Sequence, residues 1–431
     1  MSDTATRRSG TGLVLRRSAL PTLDLPPAIV AEGRRAIALR WLLSRALVLA
    51  ILVFAREDGV SGDVTYYATS LHQMFAGAGI GNTLQEYPLP VFAVILPQFL
   101  LGALNQVAFT LLFALSMLGV DAAFTALLWR ADGRRRGDAV NVWLWFVPAI
   151  GPLAYFRFDL VPAVLAGGAV LAAIRRPRLA GVLTALGAAL KLWPVVMLPT
   201  FLLRRSDRRP VLAGFLGTVV VVGGLSLAIG GPRRTLSPLH WQSARGLQIE
   251  SIAATPLILA RAVHPVGVWT IRLSQYKAFE IFGAGVKLLL AVTTGLTLLG
   301  GLLLVVLWWR AVRLRTPSAQ TLGWLFLATT LIVTVTNKTL SPQYLLWLGG
   351  PIAALAVRAP HNHAVRTFAR VLLVTAVATQ LTYPIGYDAL LKTHSWMPAV
   401  ALDLAIRNGL LVWLTWYAVR QVWRQTRPIA A

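Results

Sequence analysis

The sequence predicts an all-α polytopic membrane protein. Hydrophobic side chains make up 56% of its 431 residues and charged side chains only 13%, and the mean hydropathy is +0.66. A chain with so few polar residues could not cover the surface of a soluble domain. Its net charge of +25 comes from basic residues in short clusters between long apolar runs. This spacing is typical of cytoplasmic loops under the positive-inside rule and not of a nucleic-acid-binding face.

The N-terminal segment, residues 1–35, is rich in Arg, Gly, Ser and Pro, which predicts a flexible cytoplasmic tail. The first apolar run, 36–55, lacks a small-residue cleavage site and is therefore predicted to be a permanent membrane helix. Arg40 and Arg45 in its first turns are expected to snorkel towards the lipid headgroups. The chain has no cysteine, so packing and membrane contact must hold its loops.

Apolar runs bounded by basic or polar segments predict ten full crossings, which place both termini in the cytoplasm. The predicted spanning helices are 36–55, 107–129, 140–156, 160–174, 211–229, 285–309, 319–335, 345–357, 371–386 and 398–418. The run 87–103 contains three prolines and is predicted to be a short juxtamembrane or re-entrant element. The apolar stretch between Arg178 and Arg204 has basic ends and predicts a helical hairpin entered from the cytoplasm.

This topology divides the chain into a transmembrane domain with two extracytoplasmic loops and two cytoplasmic tails. The domain is 36–420, its loops are 57–106 and 230–284, and the tails are 1–35 and 421–431. Four aromatic residues in the second loop predict helices lying on the outer membrane surface: Trp241, Trp269, Tyr276 and Phe279. Arg233 and Arg234 depart from the positive-inside pattern, because the topology leaves this pair outside.

The same topology collects carboxylates on one side of the membrane. Only 16 residues are acidic, yet many of them fall at extracytoplasmic helix ends or in the loops there: Glu57, Asp58, Asp63, Glu86, Asp159, Glu250, Glu280 and Asp388. Basic residues on that side include Arg157, Arg245 and Lys338. A site that removes a proton from a hydroxyl needs a carboxylate, and one that stabilises a departing phosphate needs cations. Both kinds of group are available on this face.

Asp63 follows the first span, and Tyr66 and Tyr67 stand three and four residues after it. If a helix begins here, the carboxylate and both rings share one face. That arrangement suits a sugar, because the rings offer apolar area and hydroxyl groups. The spacing also fits a second interpretation, in which Asp63 caps a helix that begins at Val64. The two roles are compatible.

Glu86 and Tyr87 form a second candidate group, just ahead of Pro88. Pro88 is well placed for the first turn of a helix, and a carboxylate there interacts favourably with the helix dipole. A purely structural role is therefore sufficient for Pro88. Glu86 and Tyr87 remain candidates for sugar contact.

Two later segments carry further candidates. The polar break before the span at 345–357 holds Lys338, Gln343 and Tyr344, which could contact a phosphate or a sugar or could form a plain loop. In the second loop, three polar side chains lie close together in an apolar neighbourhood, where a solvated loop is the alternative: Arg245, Gln248 and Glu250.

Charged residues inside apolar runs are expected to find partners, because an unpaired charge in the bilayer is costly. Lys191 is expected to snorkel or to pair with Asp121, and no catalytic role is assigned to it. Asp403 and Arg407, four residues apart on the last helix, are expected to pair with each other.

The sequence supports neither a metal site nor a nucleotide site. Its six His residues show no HxxxH or HExxH spacing, and no P-loop is present. No cofactor is therefore expected.

Taken in order, these segments resemble glycosyltransferase family 87, over about residues 36–420. The likeness rests on a set of motifs that are weak singly: Gly-Asp-Val-x-x-Tyr at 62–67, Glu-Tyr-Pro at 86–88, Arg-Phe-Asp-Leu-Val-Pro at 157–162, Lys-Leu-Trp-Pro at 191–194 and Asn-Lys-x-Leu-Ser-Pro-Gln-Tyr-Leu-Leu-Trp at 337–347. The family comprises enzymes of the GT-C fold that include polyprenol-phosphate-mannose-dependent α-1,2-mannosyltransferases and some arabinofuranosyltransferases. Its mannosyltransferases often show Tyr-Pro-Pro where this chain has Tyr87-Pro-Leu-Pro90.

The resemblance implies a membrane glycosyltransferase with a GT-C-like fold and an extracytoplasmic active site in the plasma membrane. A polyprenyl-phosphate sugar, most simply mannose, would be the donor, and a lipid-linked or glycan molecule the acceptor. Asp63 would be the general base of an inverting transfer. Beyond the resemblance, we expect one or more of Arg157, Arg245 and Lys338 to stabilise the departing donor phosphate. The sugars would contact Tyr66, Tyr67, Glu86, Tyr87, Asp159, Gln248, Glu250, Gln343 and Tyr344.

Other functions stay open at this point. Within the enzyme class, the donor could be a polyprenyl-phosphate arabinose. A secondary transporter or lipid flippase would instead place paired ionisable residues at the bilayer midplane. A noncatalytic scaffold would tolerate the loss of the Asp63 carboxylate.

Overall fold

The structure is a computed structural model that describes residues 33–54, 58–102, 105–133, 137–264, 267–314, 316–392 and 395–427. The predicted N-terminal tail lies outside these ranges up to residue 32, as do Glu57 of the first loop and residues 428–431 of the predicted C-terminal tail. The first helix begins at Arg34, two residues before its predicted start.

Within these ranges the chain forms sixteen α-helices and one two-stranded antiparallel sheet. The helices are α1 (Arg34–Phe54), α2 (Gly62–Gln73), α3 (Phe92–Leu101), α4 (Gln106–Ala131), α5 (Asp138–Ile150), α6 (Leu160–Ala172), α7 (Pro177–Leu190), α8 (Leu198–Phe201), α9 (Arg208–Ala244), α10 (Thr255–Val263), α11 (Val286–Val312), α12 (Ala319–Val335), α13 (Leu346–Arg358), α14 (His363–Gln380), α15 (Tyr387–Lys392) and α16 (Met397–Gln425). The strands are β1 (Trp269–Leu273) and β2 (Phe279–Gly283). The predicted helical class is thereby confirmed.

Six described segments are long and apolar enough to cross a membrane: Arg34–Val53, Gln106–Ala131, Arg205–Ala244, Val286–Val312, His363–Ile385 and Met397–Gln425. The other four predicted crossings correspond to shorter helices of 13 to 17 residues, namely α5, α6, α12 and α13. The apolar helices make this a polytopic membrane protein. The count of ten crossings and the hairpin between Arg178 and Arg204 stay predictions.

The helices form a buried inner set and an outer set with exposed apolar faces. In α12, every residue from Thr321 to Ile332 is buried, and this helix packs against α13 and α16. In α11, by contrast, Leu288, Leu298 and Leu302 are each more than 60% exposed. Because lipid tails are as apolar as leucine, such a face is stable only against the bilayer. The outer helices therefore separate the inner set from the lipid.

Glycines let the inner helices approach closely. A Cβ on Gly167 of α6 would lie 2.8 Å from the carbonyl carbon of Gly350 in α13. One on Gly181 of α7 would lie 2.1 Å from the carbonyl oxygen of Val211 in α9. Both obstacles are backbone atoms, so a larger side chain would force the helices apart.

Arg45 does not snorkel, contrary to the sequence-based expectation. Its side chain is buried and forms an ion pair with Asp121 of α4 at 2.6 Å. The predicted pairing of Lys191 with Asp121 is therefore also wrong, because Arg45 occupies that carboxylate. Arg45 can point into the protein because its ion pair with Asp121 offsets part of the free-energy cost of removing both charges from water.

The helix α9 breaks at Gly231, which has a φ of 66° and a ψ of 176°. Glycine adopts this positive-φ conformation without the steric cost that other residues would have. The break lies just after the predicted span 211–229, and a second helical part continues to Ala244. Beyond it, the prediction of surface helices is wrong for Trp269 and Phe279, which lie in β1 and β2. The strands form because both sides of β2 find backbone partners: β1 on one side and residues 247–249 on the other.

Candidate active site

Asp63 lies in the first turn of α2, which begins at Gly62. The alternative in which Asp63 caps a helix beginning at Val64 is therefore wrong, since Ser61 occupies the cap position. The carboxylate Oδ2 lies 2.9 Å from Nε of Arg157, and the Asp63 side chain is 33% exposed. Asp63 is thus both held by a cation and open to a cavity.

Arg157 lies in the turn that joins α5 to α6, and its side chain is almost fully buried. The guanidinium also donates hydrogen bonds to the hydroxyl of Tyr383 at 2.7 Å and to the carbonyls of Phe156 and Val60 at 3.3 and 3.4 Å. A planar guanidinium with several fixed partners has little freedom to move. Arg157 therefore orients the Asp63 carboxylate, in addition to facing the cavity.

Asp63 and Arg157 open onto a cavity of about 1070 Å³. Most of the side chains predicted to contact substrate line this cavity: Asp63, Tyr66, Glu86, Tyr87, Arg157, Arg245, Gln248, Glu250, Gln343 and Tyr344. Three predicted residues do not line it: Tyr67, Asp159 and Lys338. Tyr67 packs behind the wall against Tyr87 and Phe158. Five segments of the chain, at 63–66, 86–87, 157, 245–250 and 343–344, therefore contribute these side chains to one cavity.

Glu86 is a buried carboxylate on the cavity wall. Its side chain is 4% exposed, and Oε1 makes no hydrogen bond within the described part of the chain. Burial raises the pKa of Glu86, and the hydrogen bond from the Tyr66 hydroxyl and the charges of Arg245 and Arg234 oppose this rise. A buried acceptor without a partner is costly. Oε1 is thus a buried acceptor without a partner among the described residues, on a side chain that lines the cavity.

Lys191 lines the cavity, although sequence reasoning assigned it no role. Its Nζ lies 2.6 Å from Oδ1 of Asp159, which also accepts a 2.9 Å hydrogen bond from Nε1 of Trp347. The ammonium lies 5.3 Å from the ring centres of Tyr344 and Trp347, close enough for cation–π attraction. The missed signal was a lysine in an apolar run, which marks a functional site by default.

An aromatic stack extends the cavity wall beside Lys191. The rings of Tyr344 and Trp347 are stacked with their centres 4.0 Å apart, and Trp193 stacks on Trp347 at 4.8 Å. All three rings line the cavity, together with the apolar side chains of Val195 and Val333. This part of the cavity is therefore suited to an apolar or ring-shaped group.

Glu250 enters the cavity from the loop between α9 and α10. Its Oε2 lies 3.4 Å from Nη1 of Arg407, and Nη2 of Arg407 donates to the Glu250 carbonyl at 3.0 Å. The predicted pairing of Arg407 with Asp403 is wrong, because Arg407 faces inward while Asp403 accepts from Thr382. Burial raises the pKa of Glu250 to about 7, and the nearby Arg407 opposes the rise.

The β-hairpin closes the same side of the cavity. Backbone hydrogen bonds join Ile249 to Phe279 and Ile281 to Leu247, each 3.0 to 3.1 Å long. The hairpin turn carries Lys277, whose Nζ lies 5.5 Å from the ring centre of Tyr66 across the cavity. The hairpin therefore connects the loop of Glu250 with helix α2.

Arg245 and Lys338 differ in whether their side chains already have hydrogen-bond partners within the protein. Arg245 lines the cavity and forms no hydrogen bond or ion pair with another described residue. Lys338 lies outside the cavity and donates to the carbonyl of Ser243 at 2.8 Å. Arg245 is thus the cation better placed to receive an anion.

Among the described residues, no group of three or more His, Asp or Glu side chains could hold a metal ion. The site is built from one carboxylate–guanidinium pair, two buried glutamates, three further cations and an aromatic stack. This combination can accept a proton at one point and a negative charge at another.

Residues 86–336 match the family model described as glycosyltransferase family 87. The match covers more than half of the chain and includes Arg157, Lys191, Arg245 and Glu250, whereas Asp63 lies ahead of it. No curated protein and no solved structure matches the chain.

Proposed function

The chain belongs to glycosyltransferase family 87, and from this premise we propose that it transfers mannose from a polyprenyl-phosphate donor to a lipid-linked or glycan acceptor. The site would face the extracytoplasmic side of the plasma membrane, with both termini in the cytoplasm. The observation that carries the proposal is the Asp63–Arg157 pair, on the wall of a cavity that also holds the unpaired cation Arg245.

In the proposed reaction, Asp63 accepts the proton of an acceptor hydroxyl while the hydroxyl oxygen attacks the anomeric carbon of the donor sugar. The bond from that carbon to the phosphate oxygen breaks, and the electron pair leaves with the polyprenyl phosphate. Attack from the face opposite the phosphate inverts the anomeric configuration. Arg157 supports this role because it fixes the carboxylate at 2.9 Å.

Negative charge grows on the phosphate as it leaves, so a cation close to it stabilises the transition state. Four cations line the cavity: Arg157, Lys191, Arg245 and Lys277. Arg157 is engaged with Asp63 and Lys191 with Asp159. Arg245, which forms no hydrogen bond or ion pair with another described residue, therefore suits this task best, and Lys191 is the second candidate. Lys191 also lies beside the aromatic stack of Tyr344, Trp347 and Trp193, which would contact the donor. Lys338, outside the cavity, would act at its rim.

Glu86 and Glu250 are proposed to bind sugar hydroxyls, because both carboxylates are buried on the cavity wall. The remaining cavity residues of this group are Tyr66, Tyr87, Gln248 and Gln343. Tyr67 and Asp159 would act from behind the wall, through Tyr87 and Lys191 respectively.

The donor can be tested with the purified protein in liposomes that contain a membrane lipid extract as acceptor. We expect transfer of label from polyprenyl-phosphate mannose and none from a nucleotide sugar. Transfer from polyprenyl-phosphate arabinose alone would identify the other donor. Movement of the donor lipid between leaflets without any glycosylated product would instead support a flippase.

Substitution of Arg245 or Lys191 is expected to lower the efficiency of transfer. Arg245→Gln and Lys191→Met should each lower kcat/KM for the donor about tenfold or more, because a hydrogen bond to a charged group contributes about 1.5–3 kcal/mol. The measurement is the initial rate of sugar transfer against donor concentration. Arg366→Gln is the matched control, since Arg366 is paired with Asp138 at 3.0 Å and neither residue lines the cavity. Equal kcat/KM values for all three variants would contradict the assignment.

A further inference from the structure

Arg234 is a buried cation that the proposed reaction does not use. It lies in the second part of α9, three residues after the break at Gly231. The Arg234 side chain is buried, with a residue exposure of 2%, whereas the neighbouring Arg233 is exposed. The two residues form the basic pair that departs from the positive-inside pattern. Because only Arg234 is buried, its position must be explained by contacts within the protein.

The guanidinium of Arg234 is surrounded by backbone carbonyls of the segment 80–87. Nη1 donates to the carbonyl of Tyr87 at 3.0 Å, and Nη2 donates to those of Thr83 and Leu84 at 3.1 and 3.0 Å. Nε donates to the carbonyl of Ile80 at 3.3 Å. A single side chain thus binds four carbonyls, which is possible because a guanidinium presents five donors in one plane.

A second side chain of the same helix completes the attachment. The hydroxyl of Ser237 donates to the carbonyl of Gln85 at 2.8 Å and also accepts from Arg234 at 3.2 Å. The break at Gly231 makes this geometry possible, because it redirects the helix towards the segment. Gly230 packs so closely that a Cβ there would lie 2.2 Å from Leu89.

The segment needs this support because it is irregular. Leu84 has a φ of 48°, in the left-handed region that side chains rarely adopt. The carbonyls of Ile80 and Leu84 also accept from the backbone N–H groups of Thr83 and Tyr87, at 3.4 and 3.1 Å. Arg234 is the donor found for the carbonyls of Thr83 and Tyr87 among the described residues, and a buried carbonyl without a partner is costly. Without Arg234, the segment would lose four of the hydrogen bonds that attach its carbonyls to α9.

We propose that Arg234 is a positioning residue of the candidate active site, which fixes the carboxylate of Glu86 and the ring of Tyr87 on the cavity wall. Its hydrogen bonds hold the chain on both sides of Glu86, at Leu84 and at Tyr87. The role in catalysis rests on the proposed function, whereas the attachment of the segment does not. Arg234 touches no substrate and acts only through the segment.

The neighbouring arginine provides a matched control. Arg234→Gln should raise the apparent KM for the donor or the acceptor, whichever sugar Glu86 binds, about tenfold or more. The change in kcat should be smaller, because that sugar loses an ordered hydrogen-bond partner at Glu86. Arg233→Gln removes the same charge from an exposed position and should leave both constants unchanged within about twofold. Arg234→Lys, which keeps the charge but not the fork of donors, should lie between the two. Equal effects of Arg233→Gln and Arg234→Gln would overturn the proposal.

Two further measurements separate positioning from general stability. In hydrogen exchange, Arg234→Gln should speed the exchange of amides in 79–87 while those of α12 stay protected. This readout does not depend on which sugar is transferred, so unchanged exchange would overturn the attachment itself. In a double-mutant cycle with Glu86→Gln, the effects on KM should be far from additive. Additive effects would show that Arg234 does not act through Glu86, even if glycosyl transfer is confirmed.

Discussion

Asp63→Asn is expected to lower kcat about a thousandfold, because general-base catalysis contributes about a hundredfold to ten-thousandfold to a reaction. Asparagine keeps the size of the side chain and its place beside Arg157, but it cannot accept the proton of the acceptor hydroxyl. The measurement is the initial rate of sugar transfer in liposomes at saturating donor and acceptor. The amide still fits the first turn of α2, but the buried Arg157 would lose its paired charge. Thermal stability should therefore fall, and kcat is compared for equal amounts of folded protein.

Two other substitutions make this result specific. Asp63→Glu retains a carboxylate but moves it by one methylene, so its kcat should lie between those of the wild type and Asp63→Asn. Asp138→Asn is the control, since Asp138 is paired with Arg366 at 3.0 Å and does not line the cavity. Its activity should stay within about twofold of the wild type.

Retention of more than a tenth of the wild-type kcat in Asp63→Asn would rule out Asp63 as the base. Glu86, Glu250 and Asp388 would then be the other cavity-lining carboxylates to test. A scaffold that does not catalyse the transfer would instead give no product with either the purified wild type or Asp63→Asn. The three outcomes therefore separate a base at Asp63, a base elsewhere in the cavity and no catalysis.

The sequence predicted the parts of the site that depend on chain order. An apolar run long enough to span a bilayer must be followed by a loop, so Asp63 could be placed at a helix end without knowledge of packing. Glu86, Arg157 and Tyr344 were found in the same way, and the structure brings all four side chains to one cavity. Short motifs near helix ends thus carried most of the information on the site.

The errors arose where partners come from distant parts of the fold. Spacing placed Asp403 and Arg407 on one helix face, but it cannot show that Arg407 turns inward to Glu250, 157 residues away. Lys191 was assigned to the wrong carboxylate for the same reason, since its contact with Asp159 exists only after α6 and α7 have packed. Local spacing determines which side chains are neighbours on a helix, whereas packing determines which of them are buried together.

The β-hairpin was missed because its aromatic residues suggested a membrane surface. Trp269 and Phe279 stand at the ends of two five-residue strands, and such short strands are weak signals when read alone. Their pairing is completed by residues 247–249, which come from another part of the loop. A contact of this kind is decided by tertiary structure rather than by the propensity of either strand.

Asp121→Leu is expected to destabilise the protein by about 3–5 kcal/mol, the usual cost of removing one partner of a buried ion pair. The Asp121 carboxylate is fully buried in α4 and accepts hydrogen bonds from Nε and Nη2 of Arg45, at 2.7 and 2.6 Å. It also accepts from the indoles of Trp41 and Trp143 at 3.0 and 2.7 Å and from the hydroxyl of Tyr155 at 2.9 Å. One carboxylate thus joins α1, α4 and α5.

The substitution should act chiefly through Arg45, whose charge would remain buried without an anion. The double variant Arg45→Met and Asp121→Leu removes both charges, so it should recover a large part of the free energy of unfolding that the single variant loses. Unfolding in mixed micelles, followed by tryptophan fluorescence, measures all three free energies. If the double variant lost as much free energy of unfolding as the two single variants lose together, the buried charge of Arg45 would not be the cause. The loss would then have to come from the donors that remain, Trp41, Trp143 and Tyr155, because each would be left without its acceptor.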